Sequence, residues 1–426
     1  MTPRSSLSRR RFVQALAAAP FVASALEAQT PRGPGSRLGL GIIGMGTRAR
    51  QLLGSFLRDP GVQVVAVCDV VRQRREHGQK LVEDHYARQK GKGNFKGCKI
   101  YNDFRDLLRS KDVDAVLIAT PDHWHAIPCV LAARAGKHIY SEKPLTLTIA
   151  EGRRIVDEVK KAKIVFQVGS QQRSEFDGTF RLACEMVRSG RLGKLRTVHV
   201  GVGAPAVPCD LPEQPVPEGT DWDLWNGPAP KRGYHEALCP RGVHNHFPAW
   251  RNYREYAGGG LADMGAHHFD IAQWALDRDH SGPVKIEPPA GRAITGLRFV
   301  YADGVEMFHG GPSGCTFEGS GGRLYVDRDK MESKPAEVLK QPLGEKDVRL
   351  YRATDQVRNW LECIRNGKET VCPAEVGHRS ATICHLANIG YQLRRPLRWD
   401  PEKEQFVDDA EADKLLDREP RPPWKF

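Results

Sequence analysis

Three side chains have the types and spacing needed to take a proton from a hydroxyl group. Asp263 and His267 are four residues apart, which on a helix puts the carboxylate and the imidazole on one face. An imidazole titrates near neutral pH and suits the base, while the carboxylate orients the ring or binds the hydroxyl. Lys143 follows an apolar stretch and can stabilise a developing alkoxide. We therefore predict catalytic roles for Lys143, Asp263 and His267.

A glycine-rich turn early in the chain predicts a dinucleotide site. Residues 38–43 form a short apolar run, and a helical pattern of apolar residues follows the turn. The next apolar run leads to Asp69, 25 residues after Gly44, where a carboxylate can accept the adenosine ribose hydroxyls. The cofactor-binding residues predicted here are Gly44, Met45, Gly46, Thr47, Arg48 and Asp69.

The alternation of apolar runs with helical patterns continues to about residue 170 and predicts a doubly wound parallel sheet. Ligands of such sheets lie at the carboxyl ends of the strands. Residues 120–125 and residues 141–144 fall at two of these ends. They add further predicted cofactor-binding residues, namely Thr120, Pro121, His125, Glu142 and Lys143.

Together these stretches are similar to a known family. The glycine turn, Thr120-Pro121-Asp122-His123-Trp124-His125, Gly136-Lys137-His138, Glu142-Lys143-Pro144 and residues 258–270 resemble the Gfo/Idh/MocA oxidoreductase family, over about residues 38 to 395. The resemblance implies an α/β fold, with an N-terminal Rossmann domain and a C-terminal α/β domain whose sheet is open and largely antiparallel. It also implies a homo-oligomer, and that Lys143, Asp263 and His267 meet over the nicotinamide.

Substrate contacts are predicted from aromatic and polar residues close to these segments. Trp124 offers a flat apolar face, and residues 171–173 follow the last Rossmann strand. Packing inside the fold is the alternative role for the aromatic and histidine side chains. The predicted substrate-binding residues are His123, Trp124, Gln172, Arg173, Trp250 and Arg251. We predict no metal, since the ten scattered cysteines lack zinc-type spacing. A metal site formed by His244, His246, His267 and His268 is the less favoured alternative.

Residues 1–28 have the order of an export signal. Ser8-Arg9-Arg10-Arg11-Phe12-Val13 precedes an apolar stretch and a small-residue cleavage site at Ala23-Ser24-Ala25. The apolar stretch is shorter than the ~20 residues that span a bilayer, so we predict no stable membrane insertion. The paired arginines resemble a twin-arginine signal, which makes the export machinery a predicted partner and the periplasm or cell envelope of a bacterium the predicted location.

Length and charge set the remaining boundaries. The 426 residues are enough for two folded domains, which we predict at residues 36–170 and 171–426. The formal net charge of +12 raises the question of nucleic acid, but three of these charges lie in residues 1–28. The remaining charge is spread along the chain, so we predict no nucleic acid partner.

The predicted function is hydride transfer between a sugar or polyol hydroxyl and a nicotinamide cofactor. Asp69 favours NAD, while Arg72, Arg74 and Arg75 leave NADP as an alternative. An exported enzyme has no access to cytoplasmic NAD, so the cofactor is expected to stay bound and to be recycled. Two other functions stay open: a redox-neutral glycoside hydrolase that oxidises its sugar transiently, and a non-catalytic sugar-binding protein.

Overall fold

The computed structural model describes residues 37–89 and 97–426, and the predicted export signal lies outside these residues. The first six strands are β1 (Leu38–Ile43), β2 (Val62–Cys68), β3 (Lys99–Tyr101), β4 (Ala115–Ile118), β5 (His138–Ser141) and β6 (Phe166–Val168). They form a parallel sheet in the order β3-β2-β1-β4-β5-β6. The order reverses between β1 and β4, and open α/β sheets bind ligands outside the strand ends at such a point.

Helices cover this sheet because each presents an apolar stripe to it. They are α1 (Thr47–Arg58), α2 (Arg72–Arg88), α3 (Phe104–Leu108), α4 (Ala126–Arg134) and α5 (Ile149–Ala162). In α1 the apolar stripe consists of Leu52, Leu53, Phe56 and Leu57, and all four are buried. At the start of α5, Thr148 and Glu151 form a reciprocal capping box. The doubly wound parallel sheet predicted from the sequence is thereby confirmed.

The rest of the chain forms a second sheet with helices on one side. Its elements are α6 (Thr179–Arg188), β7 (Leu195–Gly201), α7 (Trp222–Asn226), α8 (Gly259–Ala275), β8 (Lys285–Glu287), β9 (Arg298–Val300), β10 (Glu306–Gly319), β11 (Gly322–Val326), β12 (Met331–Lys334), α9 (Glu337–Lys340), α10 (Gln356–Asn366), α11 (Ala374–Leu393), β13 (Leu397–Asp400), β14 (Gln405–Phe406) and α12 (Ala410–Asp413). The strand order is β12-β11-β10-β9-β8-β13-β14, and β7 pairs with β10. These pairings are antiparallel, as the family resemblance implied.

Helix α8 carries two of the predicted catalytic residues and is packed on several sides. Its core face, including Phe269 and Ile271, joins one apolar cluster with Ile383 of α11 and Phe299 of β9. The helix begins at Gly259 with φ +75°, where a Cβ would lie 2.7 Å from the Ala204 carbonyl oxygen. Only glycine allows the helix to start so close to the chain that follows β7.

The chain beyond the parallel sheet also returns to it. Trp360 of α10 packs edge-on against Phe56 of α1 and Tyr140 of β5, with ring centroids 6.0 and 5.8 Å apart. All ten cysteines are free. In the described parts of the chain, no helix is long and apolar enough to cross a membrane.

Candidate active site

A cleft opens at the point where the strand order of the parallel sheet reverses. Gly44 follows β1, Thr120 follows β4 and Lys143 follows β5, and all three line the cleft together with Asp263 from the first turns of α8. The space between its walls is about 1130 Å³, open solvent at the mouth included. The cleft therefore joins the predicted dinucleotide turn to two of the predicted catalytic residues.

The glycine turn has one glycine that the fold requires and one that keeps a surface open. Gly44 has φ +87°, and a Cβ there would lie 2.8 Å from the Ala119 carbonyl oxygen. Gly46 lines the cleft, and a Cβ there would meet no atom within 4 Å. Gly46 precedes α1 without a side-chain cap, so the first amides of that helix are available to an anion. This arrangement leaves a cradle that a side chain at Gly46 would fill.

Asp69 lines the cleft at the end of β2 and holds the glycine turn. Its two carboxylate oxygens accept hydrogen bonds from the amides of Met45, at 2.8 Å, and Val71, at 2.9 Å. Each oxygen keeps a second lone pair that a ribose hydroxyl can use. Met45, predicted to bind the cofactor, instead turns its side chain into the core and contributes only this amide. The buried hydroxyl oxygen of Thr120, also in the cleft wall, has no partner in the described chain.

The residues present thus fit a dinucleotide: an open cradle at Gly46, a free helix N-terminus, and an acceptor at Asp69. Pro121 and Thr47 also line the cleft. Thr47 contacts the backbone of the opposite wall, with its hydroxyl 2.9 Å from the His246 carbonyl oxygen. Because the hydroxyl is engaged in this way, the predicted cofactor contact of Thr47 is left to its backbone amide and its methyl group.

Glu142 fixes the turn that carries Lys143. One of its oxygens accepts hydrogen bonds from Arg48 Nε at 2.9 Å and Gln171 Nε2 at 3.1 Å, and the other accepts from the Lys143 amide at 3.3 Å. Glu142 is buried, and both it and Arg48 line the cleft. The ion pair holds the Lys143 turn against the start of α1.

Lys143 and Asp263 form the central ion pair of the cleft. Lys143 Nζ donates to Asp263 Oδ1 at 2.7 Å and to the main-chain oxygen of Asp263 at 2.9 Å. Burial alone would raise the pKa of Asp263, but the charges of Lys143 and Arg251 outweigh it and lower the pKa. The Lys143 side chain is 14% exposed and that of Asp263 is 32% exposed, so the pair faces the open space.

His267 lies one turn beyond Asp263 on α8, as the spacing predicts, and is buried beside the cleft. Burial, and then the positive charges of Lys143 and Arg328, hold the pKa of His267 well below its ordinary value. Its Nδ1 has no hydrogen-bond partner among the residues described. The His267 imidazole is therefore neutral at neutral pH. It has a ring nitrogen that accepts no hydrogen bond from the described residues.

Three of the predicted substrate-binding residues line the cleft. The Arg251 guanidinium lies over the Trp250 ring at 4.1 Å, and Arg251 Nε is 3.8 Å from Asp263 Oδ1. Trp124 is held in the wall because its Nε1 donates to the main-chain oxygens of Leu224 and Trp225. Two indole rings and one cation thus line the cleft that contains the Lys143–Asp263 pair.

Two histidines of the segment after β4 do not reach the cleft. His123 is 1% exposed, and its Nε2 is 3.0 Å from the Trp225 carbonyl oxygen, so it packs behind the wall rather than binding substrate. The ring nitrogens of His125 lie 2.7 Å from the Pro144 carbonyl oxygen and 2.9 Å from that of Thr120. His125 therefore ties two loops of the site together and does not bind the cofactor directly.

The prediction for Arg173 is wrong, because its guanidinium is buried in an ion-pair cluster. It contacts the carboxylates of Asp270, at 2.8 Å, and Asp279, at 2.7 Å, and its side chain is 2% exposed. Gln172 is also buried outside the cleft wall, and its amide has no partner within the described ranges. Neither residue is available to a substrate in the cleft.

Residues 204–258, called here the cover segment, contribute Trp225, Pro240 and His244 to the cleft wall in addition to Trp250 and Arg251. Arg74 Nε donates to the Gly242 carbonyl oxygen at 2.9 Å, and a second Arg74 nitrogen donates to that of Pro240. The amide of Arg72 donates to the Gly219 carbonyl oxygen at 2.8 Å, and that of Asp221 to the Val70 carbonyl oxygen at 3.0 Å. The chain between the end of β2 and the first turn of α2 is thereby hydrogen-bonded to the cover segment, close to Asp69.

The sequence pattern gave no role to Asp122, and of the cover segment it placed only Trp250 and Arg251 among the predicted site residues. Asp122 lines the cleft and lies in the Thr120–His125 segment already chosen, so its position at a strand end was the available signal. The cover segment has no regular apolar period that would have indicated its place. No group of three side chains suited to a metal ion occurs in the described parts of the chain.

Comparison with known proteins places both sheets in one family. Residues 38–170 match the NAD-binding Rossmann fold of the Gfo/Idh/MocA oxidoreductases, and residues 206–426 match the C-terminal alpha/beta domain of the same oxidoreductase family. Inositol 2-dehydrogenase of Salmonella paratyphi B is 34% identical over 163 residues, which are 38% of this chain and 43% of that relative. The chain thus matches less than half the length of this curated relative.

Solved structures agree in fold. Aldose-aldose oxidoreductase from Caulobacter crescentus, complexed with glycerol, has a TM-score of 0.58 at 20% identity, covering 85% of this chain and 99% of that one. The WlbA dehydrogenase from Bordetella pertussis, in complex with NADH and UDP-GlcNAcA, has a TM-score of 0.58 at 16% identity, with the same coverage. The second of the two family matches alone spans more than half of the sequence. The chain therefore belongs to the Gfo/Idh/MocA oxidoreductase family.

Proposed function

We propose that this protein is an NAD-dependent oxidoreductase that transfers a hydride between a sugar or polyol hydroxyl and a cofactor that stays bound. The observation that carries the proposal is the Lys143–Asp263 pair, 2.7 Å apart, in the same cleft as the open glycine turn. The substrate class is supported by the similarity to an inositol dehydrogenase and to an aldose oxidoreductase.

Each residue has one task in this mechanism. Lys143 Nζ donates a hydrogen bond to the reacting hydroxyl oxygen and stabilises negative charge that develops there. Asp263 holds the ammonium in place through its short contact. His267, which is neutral, accepts the hydroxyl proton. NAD, when bound, supplies the hydride acceptor. Trp124 and Trp250 offer apolar faces to the C–H groups of the sugar.

NAD is favoured over NADP because the candidate phosphate-binding arginines are already engaged. Arg74 donates to carbonyl oxygens of the cover segment. Arg75 donates to the Asp69 carbonyl oxygen and to Asn102 Oδ1, both at 3.0 Å. Arg72 is 3.8 Å from Glu218. A 2′-phosphate would have to compete for these groups and would lie close to the Asp69 carboxylate.

Retention of the cofactor is supported by the cover segment. Arg74 and Thr47, which line the cleft together with Asp69, donate hydrogen bonds to carbonyl oxygens at residues 240–246 of the cover segment. The two hydrogen bonds from the Arg74 guanidinium contribute about 1.5–3 kcal/mol each, so they favour the arrangement in which the cover segment stays in place. Such retention suits the export that the twin arginines at Arg9 and Arg10 predict, since no NAD pool is available outside the cytoplasm.

The decisive experiment starts from the purified holoprotein. Denaturation should release NAD(H) in near-stoichiometric amount, with little NADP(H). Sugars and polyols should then reduce the bound cofactor, seen by its absorbance, and a second carbonyl compound should reoxidise it. A cofactor-free protein that turns over only with excess NAD would contradict retention. Cleavage of glycosides without net reduction would instead establish the redox-neutral hydrolase.

A further inference from the structure

The segment that follows α12, residues 414–426 and called here the clasp segment, packs against the half of the molecule that contains the parallel sheet. Arg418 Nε donates to Glu151 Oε1 at the start of α5, at 2.9 Å. Trp424 is 8% exposed and belongs to the same apolar cluster as Ile118 of β4. None of these contacts has a part in the mechanism above.

Trp424 helps to hold the indole of Trp124 in the cleft wall. The two rings meet edge to face, with centroids 4.8 Å apart, and Phe104 packs against Trp124 at 5.4 Å. A Cβ at Gly227 would lie 2.1 Å from the Trp124 ring, so the indole also packs directly on the backbone of that turn. Removing the Trp424 ring would therefore leave space into which the indole can move.

Two arginines of the clasp segment bind the backbone around this indole. Arg418 Nη2 donates to the carbonyl oxygen of His123, the preceding residue, at 2.8 Å. Arg421 Nε donates to the Gly227 carbonyl oxygen at 2.9 Å, and its Nη1 donates to Asp223 Oδ1 at 2.7 Å. Hydrogen bonds from charged donors are stronger than those between neutral groups. The clasp segment thus holds both the chain that carries the indole and the turn on which the indole packs.

The two backbone stretches held in this way form part of the cleft wall. Residues 120–125 follow β4 and contribute Thr120 and Trp124, whereas α7 of the cover segment contributes Leu224 and Trp225. Of the described residues that line the cleft, none belongs to the clasp segment. Any effect of the clasp segment on a ligand therefore passes through these two stretches.

We propose that Arg421 and Trp424 are positioning residues that hold Trp124 and α7 in the cleft wall and thereby slow the release of a bound dinucleotide. This inference rests on the proposed function, because it takes the dinucleotide as the ligand of the cleft. When the wall can adopt a second arrangement, the affinity of the cleft falls by the fraction of molecules in the binding-competent one. Among variants of one site, such a change appears mostly in the dissociation rate.

The first test measures release of the cofactor from the holoprotein. The protein is equilibrated with NADH, freed of excess NADH and mixed with excess NAD, and the loss of fluorescence from bound NADH gives the release rate. Trp424→Ala and Arg421→Ala should each release NADH about 10-fold faster than the wild type, which corresponds to a competent fraction of about one tenth. Trp424→Phe keeps an aromatic ring against Trp124 and should stay within about 2-fold of the wild-type rate.

The matched control is Phe426→Ala, which removes another ring of the clasp segment. Phe426 contacts α5, where the guanidinium of Arg154 lies over its ring at 4.8 Å. This variant should lose stability in urea denaturation but release NADH at the wild-type rate. The proposal would be overturned by release as fast in Phe426→Ala as in Trp424→Ala, or by the wild-type rate in both Trp424→Ala and Arg421→Ala. Either result would mean that the clasp segment contributes only to the general stability of the fold.

Hydrogen exchange measured by mass spectrometry gives a second test that needs no ligand. Trp424→Ala should speed exchange of the amides of residues 120–125 and 222–228 relative to the wild type, whereas Phe426→Ala should not. A wild type that holds no NADH would count against the proposed function, and unchanged exchange in Trp424→Ala would overturn the role of the clasp segment on its own. If Trp424→Ala fails to fold, Arg421→Ala, whose ion-pair partner is 70% exposed, supplies both measurements.

Discussion

Helix α8 carries two charged clusters of opposite character. Near its start, Asp263 pairs with Lys143 on the wall of the cleft, and the carboxylate is 32% exposed. Two turns later, Asp270 pairs with Arg173, and these side chains are 0% and 2% exposed. The same helix thus presents one ion pair to a ligand and buries another.

The two clusters differ in how much hydrogen-bonding capacity they leave unused. Arg173 engages two carboxylates, of Asp270 and Asp279, and Ser380 donates a further hydrogen bond to Asp270. Lys143 has two oxygen partners, both from Asp263, and the pair borders open space. The cluster of Arg173, Asp270 and Asp279, called here the closed cluster, fixes the position of helix α8. The Lys143–Asp263 pair, called here the open cluster, keeps its groups available for a substrate. The comparison predicts that mutations in the first alter stability and mutations in the second alter turnover.

The largest effect is expected from opening the closed cluster. Arg173→Ala leaves Asp270 buried without its cation, and breaking a buried pair from one side costs about 3–5 kcal/mol. The free energy of unfolding, measured by urea denaturation, should fall by that amount. The control Arg298→Ala removes an arginine paired with Glu287 at a more exposed site, where the expected loss is below about 1 kcal/mol. Equal losses in the two variants would contradict the distinction.

Lys143→Met tests the open cluster. Removing the donor to the reacting oxygen should lower kcat about 1000-fold, or about 4 kcal/mol in activation free energy, with cofactor still bound. The unfolding free energy should change by less than about 1 kcal/mol. Lys99→Met, at an exposed lysine paired with Asp112, is the matched control and should keep full activity. Unchanged turnover in Lys143→Met would show that the hydride is transferred elsewhere.

The open cluster was predictable from the sequence because its residues follow local patterns. Gly44, Asp69 and Lys143 each come directly after a predicted strand, and parallel strands bring their carboxyl ends to one edge. The i to i+4 spacing of Asp263 and His267 holds on α8. Local periodicity was thus enough to place most of the cleft.

The closed cluster was not predictable in the same way. Arg173 also follows a strand, but its partner Asp270 is 97 residues away in the chain, and nothing local indicates the pairing. Strand β3 was missed because Lys99–Tyr101 is three residues long, without an apolar run. The local sequence pattern predicts which residues lie at the end of a strand. Tertiary packing decides which of these residues stay accessible to a ligand.

His267→Gln tests whether the open cluster extends to the base. We expect kcat to fall about 100-fold, the lower end of the contribution of a general base, with stability nearly unchanged. Burial and the charge of Lys143 hold the pKa of His267 well below its ordinary value, so the wild-type rate should not drop through pH 6.5. A rate in His267→Gln equal to that of the exposed-site control His280→Gln would remove His267 from the mechanism.

The smallest effect is expected at Asp279, the most exposed residue of the closed cluster. It concerns how the free energy of unfolding changes at acid pH. Arg173 outweighs burial and lowers the pKa of Asp279, so the unfolded chain takes up a proton at higher pH than the folded one. Stability from this pair is therefore present at neutral pH and is lost as the pH falls below about 4, the ordinary value for aspartate. Asp279→Asn should lower the unfolding free energy by about 1.5 kcal/mol at pH 7. The difference from the wild type should shrink in urea titrations from pH 5 to about pH 2, because protonation removes the same charge that the mutation does. A difference that stays constant over this range would mean that Asp279 contributes through packing and not through its charge.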